Sequence, residues 1–484
     1  MKLSVATNWD IELIEGLEDA PVHDFFAALP SNIVGGGRPA FILAPATSKT
    51  VEEYVRLVHA KGRKFTYLLN APCLNNLEYD AKTHGELLSH IDWINSIGVD
   101  YVTVSIPYLL ELIVRQFPQL KTKVSVIAHA SSVQRVKFWE DLGAEIITVD
   151  PMINRSFGLL EKIKNATACR LEVLLNDACL YQCPYIYYHY NICGHASQNH
   201  NPLQGFYIDY CIIRCTMDLL SDPAQVLKSR WVRPEDIAAY EDLGIDYFKI
   251  SGRRMSTRWL LNAVKAYAAR TWEGNLVDIL NFIVPGVDPD THSGQYHTYV
   301  TRPEFIEKER LIKLAQAHPV KPYLDNKSLH GFLDFFRKVD CASSCGSCTH
   351  CADWAKKAVR YPEQDFARYL NALRELHQDL VTSKAFCESA KLEKTAVGES
   401  PLDWGATVRE KFQEVIQAVP SEFSEIARHF VEKRSCENAR DRGSAIIEEE
   451  DLVRAFLSET PAVFKVEMLS KLNDLGIPVE KYES

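Results

Sequence analysis

The sequence predicts an α/β protein: a (β/α)8, TIM-like barrel carrying a cysteine-rich insertion and followed by helical C-terminal regions. Three observations point there. Short β-branched or aliphatic runs alternate with amphipathic helical stretches from the start to about residue 270. Eight such runs occur, the number at which right-handed βαβ units close on themselves. No glycine-rich dinucleotide loop follows the first run, which weighs against the alternative, an open doubly wound sheet.

In chain order the expected strands are Leu3–Thr7, Ala40–Leu43, Phe65–Leu69, Tyr101–Ile106, Val124–Ala128, Ile146–Val149, Leu171–Leu175 and Tyr247–Ile250. Between them, Val51-Tyr54-Val55-Leu57-Val58, Leu87-Leu88-Ile91-Trp93-Ile94 and Val133-Val136-Trp139-Leu142 show helical three-and-four spacing. Gly62, Gly98, Gly143 and Gly244 stand where helices stop before the next strand. The connection from residue 176 to 246 is far longer than a loop inside a barrel needs, and it is rich in cysteine and tyrosine. It reads as a functional insertion.

Past the barrel the pattern changes. Pro285–His297 is a Pro/Gly/Asp/His-rich connector, followed by expected helices around Pro303–His318 and Ser328–Val339 and a second run of cysteines. Glu388–Ser400 reads as a linker. The expected domains are therefore residues 1–285, a barrel with the first cysteines; 286–387, a helical region with the second; and 401–484, a small all-helical module.

Composition limits the function. The 484 residues are 46% hydrophobic and 24% charged, ordinary globular material, at about three domains' worth of chain. A formal net charge of −10 disfavours a nucleic-acid partner, because phosphate binding usually shows a basic surplus. Apolar runs such as Tyr108–Val114 are far shorter than the roughly eighteen residues a membrane span needs. The N-terminus has one lysine and then an acidic stretch from Asp10 to Glu18, unlike a signal or transit peptide, so a cytoplasmic protein is expected.

Thirteen cysteines, an odd number in a reducing compartment, do not read as a disulfide framework. They cluster. Cys179 and Cys183, and likewise Cys211 and Cys215, are spaced four apart, so the thiols of each pair share a helical face. Four thiolates suit a [4Fe–4S] cluster, with Cys193 as an alternate ligand; zinc and buried packing remain the other readings. The second set, Cys341, Cys345, Cys348 and Cys351, lies within eleven residues and suits a second [4Fe–4S] cluster or a zinc ion. Its first three members also have the C-x3-C-x2-C spacing of radical S-adenosylmethionine enzymes, although Cys351 is present to fill the open iron such chemistry needs.

Barrel active sites lie beyond the C-terminal strand ends. Those ends carry Asn8, Asn70 with Cys73, Ser105, His129, Asp150, Asn176 with Cys179 and Cys183, and Ser251-Gly252-Arg253-Arg254. Cys73, His129 and Asn176 are the candidate catalytic residues. Cys73 is equally readable as an inert loop thiol, and His129 as a hydrogen-bonded structural group. Arg253 and Arg254, with Asn70, are the candidate substrate contacts, since a guanidinium grips a carboxylate or phosphate bidentately; a structural salt bridge is the alternative.

Four separated segments resemble the peptidase U32 family. They are Asn176-Asp-Ala-Cys179…Cys183-Pro184…His189, then Cys211…Cys215, then Lys228-Ser-Arg-Trp-Val-Arg233-Pro-Glu-Asp236, then Phe248-Lys-Ile-Ser-Gly252-Arg253. The resemblance covers roughly residues 1 to 270 and implies a barrel-like N-terminal domain. Members include collagenase-like peptidases and iron–sulfur proteins that support oxygen-independent hydroxylation of ubiquinone precursors or of RNA bases. The chain departs from the family's peptidase signature: no glycine precedes Cys179, and the gap from Cys179 to Cys183 is short. More weakly, Val419-Pro-Ser-Glu-Phe423…Ala427-Arg428…Ala439-Arg440…Gly443…Ile447…Ala455 resembles the helical tail module of light-independent protochlorophyllide reductase.

The expected protein is thus an iron–sulfur redox enzyme with two clusters, acting on a small aromatic or carboxylated molecule. An electron-donor protein, and a partner subunit or a second copy, are its expected partners. A U32-type hydrolase and a non-catalytic iron–sulfur subunit are the alternatives.

Overall fold

A computed structural model describes residues 1–201, 209–286, 288, 290–291, 307, 319–341, 345–385, 402–419, 421–460, 465–474 and 476–477. The chain forms two units, residues 1–297 with 319–370, and residues 298–318 with 371–484. The expected helix at Pro303–His318 and the linker at Glu388–Ser400 lie outside the described residues, apart from Glu307.

The first unit is a closed barrel of eight parallel strands. In order they are β1 (Lys2–Ala6), β2 (Val22–Ala27), β3 (Lys64–Leu69), β4 (Tyr101–Val104), β5 (Lys121–Val124), β6 (Ile146–Thr148), β7 (Arg170–Leu174) and β8 (Tyr247–Ile250). Each pairs with the next, and β8 returns to β1. Helices fill the connections, among them Ser48–Ala60, Ala81–Ser96, Pro107–Gln116, Val133–Asp141 and Phe157–Ala166, and Thr257–Ala269 follows β8. Several start on a side-chain cap: Asp80, Ser132 and Ser256 each accept an N–H from the first turn.

Two strands differ from the sequence reading. Ala40–Leu43 is not a strand; Ala40–Ile42 forms a single 3-10 turn, and Val22–Ala27 takes the second place in the barrel. The fifth strand runs Lys121–Val124, three residues earlier than expected, and Val126–Ala128 is a 3-10 turn. Both differences share one cause. Asp24 and Lys123 look like solvent-facing residues in sequence, yet both are fully buried inside the barrel.

There they form an ionic network. Lys123 Nζ donates to both oxygens of Asp24 at 2.9 Å and lies 3.7 Å from Glu172. Ser4 and Thr66 hydroxyls donate to Asp24 at 2.9 and 2.6 Å, and Thr148 donates to Glu172 at 2.8 Å. Lys249 lies 3.8 Å from Glu172 and 4.0 Å from the centre of the Phe26 ring.

The expected helix at Ser328–Val339 is instead two 3-10 turns, Lys327–Leu329 and Phe332–Phe335. The second cysteine run continues into the helix His350–Ala358 and packs within the barrel unit. In the second unit, helices Val408–Ala418, Ser421–Asp441, Glu449–Glu459 and Lys465–Asp474 enclose Phe412, Ile416, Leu452, Phe456 and Leu472. This module is not purely helical, because Asp403–Trp404 pairs in parallel with Ile446–Ile447. Among the described residues no helix is long and apolar enough to cross a membrane.

Removing one partner of a buried ion pair strands the other charge. Asp24→Ala is therefore expected to lower unfolding free energy by about 3–5 kcal/mol, while the paired exchange Asp24→Leu with Lys123→Met should cost far less. Denaturant midpoints of the two variants check this, and equal losses would refute it. Burial works against the Asp24 charge, but Lys123 and the Thr66 bond hold its pKa below the ordinary 3.8; burial likewise opposes Lys123, which Asp24 and Glu172 hold above 10.5. The pair's contribution should be complete between those ordinary values. It should vanish as pH falls through the depressed Asp24 pKa or rises through the raised Lys123 pKa.

Candidate active site at the barrel mouth

The loop after β2 builds one wall of the mouth. Asn32 Oδ1 accepts the N–H groups of Val34 and Gly35 at 2.9 and 2.8 Å, and Gly36 N–H donates to Ser197 Oγ at 2.9 Å. Gly35 has φ +76°, and a Cβ there would come 2.7 Å from the Gly194 carbonyl. The glycine run thus lies directly against the helix Ile186–His195 and delivers Arg38 to the mouth. Burial opposes the Arg38 charge, but Cys193, Tyr190, Cys179 and Asp177 around it raise its pKa.

Arg253 comes from the other side, after β8. Gly252 before it has φ +149°, and a Cβ there would strike the Trp259 ring at 2.7 Å. Burial, and then the nearby Arg38 charge, push the Arg253 pKa down to about 9. Neither Arg38 nor Arg253 forms an ion pair among the described residues. A Cβ on Gly36 would lie 3.2 Å from Asn70 Oδ1 and 3.8 Å from Arg253 Nη2, so the bare glycine leaves the gap between these two side chains open. Asn70 Nδ2 donates to Ser125 Oγ at 3.1 Å, while its buried Oδ1 has no partner.

His129 sits at the end of the turn after β5 with φ +50°. Its Nδ1 lies 3.0 Å from Asp150 Oδ2, its Nε2 is buried without a partner, and its ring meets Tyr187 edge-on at 4.8 Å. Asp150 is itself fixed by the Met152 N–H at 2.9 Å. The pair has the form of a base held by an orienting carboxylate.

The insertion gathers the first thiols. Cys179 and Cys183 lie before the helix Ile186–His195, Cys193 lies within it, and Cys211 and Cys215 lie on the helix Tyr210–Ser221. Burial pushes the Cys179, Cys183, Cys211 and Cys215 thiols up. Their charges also reach one another: Cys183 and Cys215 raise Cys179, Cys193 and Cys183 raise Cys211, and Cys183 and Cys211 raise Cys215. Asp209 caps the second helix and lies 3.3 Å from His189 Nε2. Burial opposes the His189 charge, yet Asp209 and Cys193 hold its pKa well above the usual value.

Among the described residues, no three His, Cys, Asp or Glu side chains stand ready to hold a metal ion. The donor chemistry nonetheless fits a thiolate-bound cluster: five buried or half-buried thiols come from one insertion, three of them, Cys179, Cys211 and Cys215, feel the charge of others in the set, and a cation there would favour the thiolate form that burial alone disfavours.

The second set lies against the far end of the same insertion. Cys341 and Cys351 are buried, and Cys345 and Cys348 half-buried. Arg230 Nη2 lies 3.5 Å from Cys341 Sγ, and the His350 N–H donates to Cys348 Sγ at 3.4 Å. Burial raises the Cys351 thiol, with Arg155 and Arg230 pulling it down. Arg230 in turn lies 3.6 Å from the centre of the Tyr181 ring, and Tyr181 stands between Cys179 and Cys183 in the chain. The Arg230 guanidinium therefore stands between the Cys341 thiol and the segment that carries Cys179 and Cys183.

Three expected site residues have other duties. The Asn176 amide is fully engaged: Nδ2 donates to the Ser251 carbonyl at 2.8 Å, and Oδ1 accepts the Ser251 N–H and hydroxyl at 2.9 and 3.1 Å. It ties the end of β7 to the end of β8. Arg254 is buried against Asp288 at 3.2 Å, in the salt bridge that was the alternative to a substrate contact. Cys73 Sγ accepts the Asn75 N–H at 3.2 Å, and its carbonyl accepts Gln198 Nε2 at 2.7 Å, so it braces the loop against the insertion.

The sequence reading places Asp150 at a strand end without giving it a role, and does not single out Arg38 or Asp177. The signal for Arg38 was Gly35-Gly36-Gly37-Arg38 itself, which follows a strand only once Val22–Ala27 is recognised as β2.

A model of peptidase family U32 matches residues 44–273. A protein of Methanocaldococcus jannaschii named as an uncharacterized protease is 32% identical over 333 residues, 68% of this chain and 86% of that protein. The solved structure of the U32 peptidase Mk0906 matches at a TM-score of 0.40 and 20% identity, covering 52% of this chain and 92% of that one. With its barrel, its cysteine-bearing insertion and a relative this similar over two thirds of its length, the chain belongs to peptidase family U32.

Proposed function

We propose that the protein is an iron–sulfur-dependent redox enzyme of the U32 type, carrying out oxygen-independent hydroxylation, or a related redox modification, of a small aromatic or carboxylated substrate. One observation carries this reading: the buried thiols of the insertion stand beside two guanidinium groups that have no ion-pair partner among the described residues, at the mouth of the barrel. Cys179, Cys183, Cys211 and Cys215, with Cys193 as alternate, would hold a [4Fe–4S] cluster. When bound, such a cluster supplies one-electron chemistry and a Lewis-acidic iron.

The rest is done by the chain itself. Arg38 and Arg253 bind the carboxylate, which relieves the cost that burial and mutual repulsion impose on their charges. Asn70 Oδ1, an acceptor without a donor, orients a substrate hydroxyl. His129, held through Nδ1 by Asp150, takes or gives a proton at Nε2, and Tyr187 beside it covers an aromatic ring. Cys341, Cys345, Cys348 and Cys351 would hold a second cluster, or zinc; a cluster there would supply one-electron chemistry fed by a donor protein, with Arg230 between the Cys341 thiol and the Tyr181 ring.

The protease name of the relative favours a second reading, a hydrolase with His129 as base. On that reading a cysteine, or a zinc-bound water, would be the nucleophile.

Purified without oxygen, the chain is expected to carry about eight irons and eight sulfides if both sites hold [4Fe–4S], or about four of each with zinc at the second. Cys179→Ala should remove one cluster and spare the other centre. Zinc without any sulfide would overturn the redox reading.

Arg253→Lys keeps a charge but loses the fork. It is expected to weaken binding of a small carboxylate by about 1–3 kcal/mol, measured by calorimetry, with iron content unchanged. Arg254→Lys should instead lower stability and leave binding alone. Parent-like binding by Arg253→Lys would remove the clamp.

A further inference from the structure

Lys249 differs from the other charged members of the network inside the barrel. The side chains of Asp24, Lys123 and Glu172 are wholly covered, and Lys123 Nζ gives Asp24 two hydrogen bonds at 2.9 Å. Lys249 keeps 10% of its side chain exposed, and its carboxylate neighbour, Glu172 Oε2, is 3.8 Å away. Its Nζ makes no hydrogen bond among the described residues. A lysine serving only as a counterion should close on its partner as Lys123 does.

The uncovered part of Lys249 faces the mouth. Tyr101, Ile146 and Tyr247 pack together at the opposite end of the barrel. Lys249 stands two residues beyond Tyr247 along β8, on the same inward face and nearer the C-terminal strand ends. Phe26, close to the end of β2, has its ring centre 4.0 Å from Nζ. Burial lowers the Lys249 pKa from the ordinary 10.5; Glu172 and Asp24 push it up, while Lys123 and Arg253 push it down. The net direction favours the neutral amine, the nucleophilic form of lysine. Glu172 can take the proton: Oε2 faces Nζ and accepts the Thr148 hydroxyl, and Oε1, 3.7 Å from Lys123, has no hydrogen-bond partner.

We propose that Lys249 is a nucleophile at the floor of the barrel mouth, forming an imine with a small aldehyde or ketone. Glu172 takes one proton from the ammonium. The amine adds to the carbonyl carbon and passes its second proton to the oxygen. Glu172 then returns the first proton, the oxygen leaves as water, and Nζ stays doubly bonded to carbon as an iminium. No electrons enter or leave. One cation replaces another, so the two carboxylates remain matched and the Phe26 ring still faces a positive charge. The iminium draws electrons from the neighbouring carbon and eases the loss of a proton there. This activity goes beyond the redox reading and does not depend on it.

The test uses the full parent chain purified without oxygen, so no variant has to fold. A near-stoichiometric amount of propanal is added with cyanoborohydride at neutral pH, and the propylated lysines are located by peptide mass spectrometry. Lys49 and Lys82, with side chains 83% and 86% exposed, report ordinary amine reactivity in the same sample. Lys249 is expected to take the label several-fold faster than either. Lys249→Arg, which keeps a charge toward Glu172, should lose that label and leave the other two as they are. Labelling of Lys249 no faster than that of Lys49 and Lys82 would overturn the nucleophile and return Lys249 to a counterion. Iron and sulfide content does not enter this readout, so the redox reading and the imine fail separately.

Discussion

The barrel depends on the charge network inside it. A barrel of eight parallel strands is ordinarily filled by layers of branched aliphatic side chains. Here Ser4, Asp24, Thr66, Lys123, Thr148, Glu172 and Lys249 project inward from seven of the strands, and two carboxylates face two lysines. Apolar layers tolerate exchange of one aliphatic group for another, but a buried carboxylate tolerates only its own partner. A strand slipped by one residue would turn Asp24 or Lys123 out of the barrel and leave its partner unmatched. Register is thereby fixed by charge, and with it the point at which each strand ends. Glu172 on β7 fixes where Asn176 and then Cys179 emerge, and Lys249 on β8 does the same for Arg253.

The same network explains what the sequence concealed. Period-two patterns reveal strands when one face is apolar and the other polar, but Val22–Ala27 and Lys121–Val124 place a charge on the buried face. Ala40–Leu43, an apolar run, then looked like the better strand, and the glycine run ahead of it appeared to precede the barrel's second strand when in fact it follows it. Losing that order hid Arg38. The thiols were readable because clustering in sequence survives any error in register: Cys179 to Cys215 come from one connection whatever the strands around it do. Partners were not readable. Asn176 and Arg254 stand at strand ends like Asn70 and Arg253, and only the fold shows that Ser251 occupies the one and Asp288 the other.

The insertion between β7 and β8 is then more than a ligand-bearing loop. It supplies the first thiols, the helix that covers the glycine run at Arg38, and, at its far end, Arg230 against Cys341. Asn154 holds that far end to the barrel, donating to the carbonyls of Leu174 at 2.8 Å and Arg230 at 2.9 Å. Arg230 thus stands between the Tyr181 ring, which belongs to the segment carrying Cys179 and Cys183, and the Cys341 thiol, so one connection supplies the first cysteines and also reaches the second set from its far end.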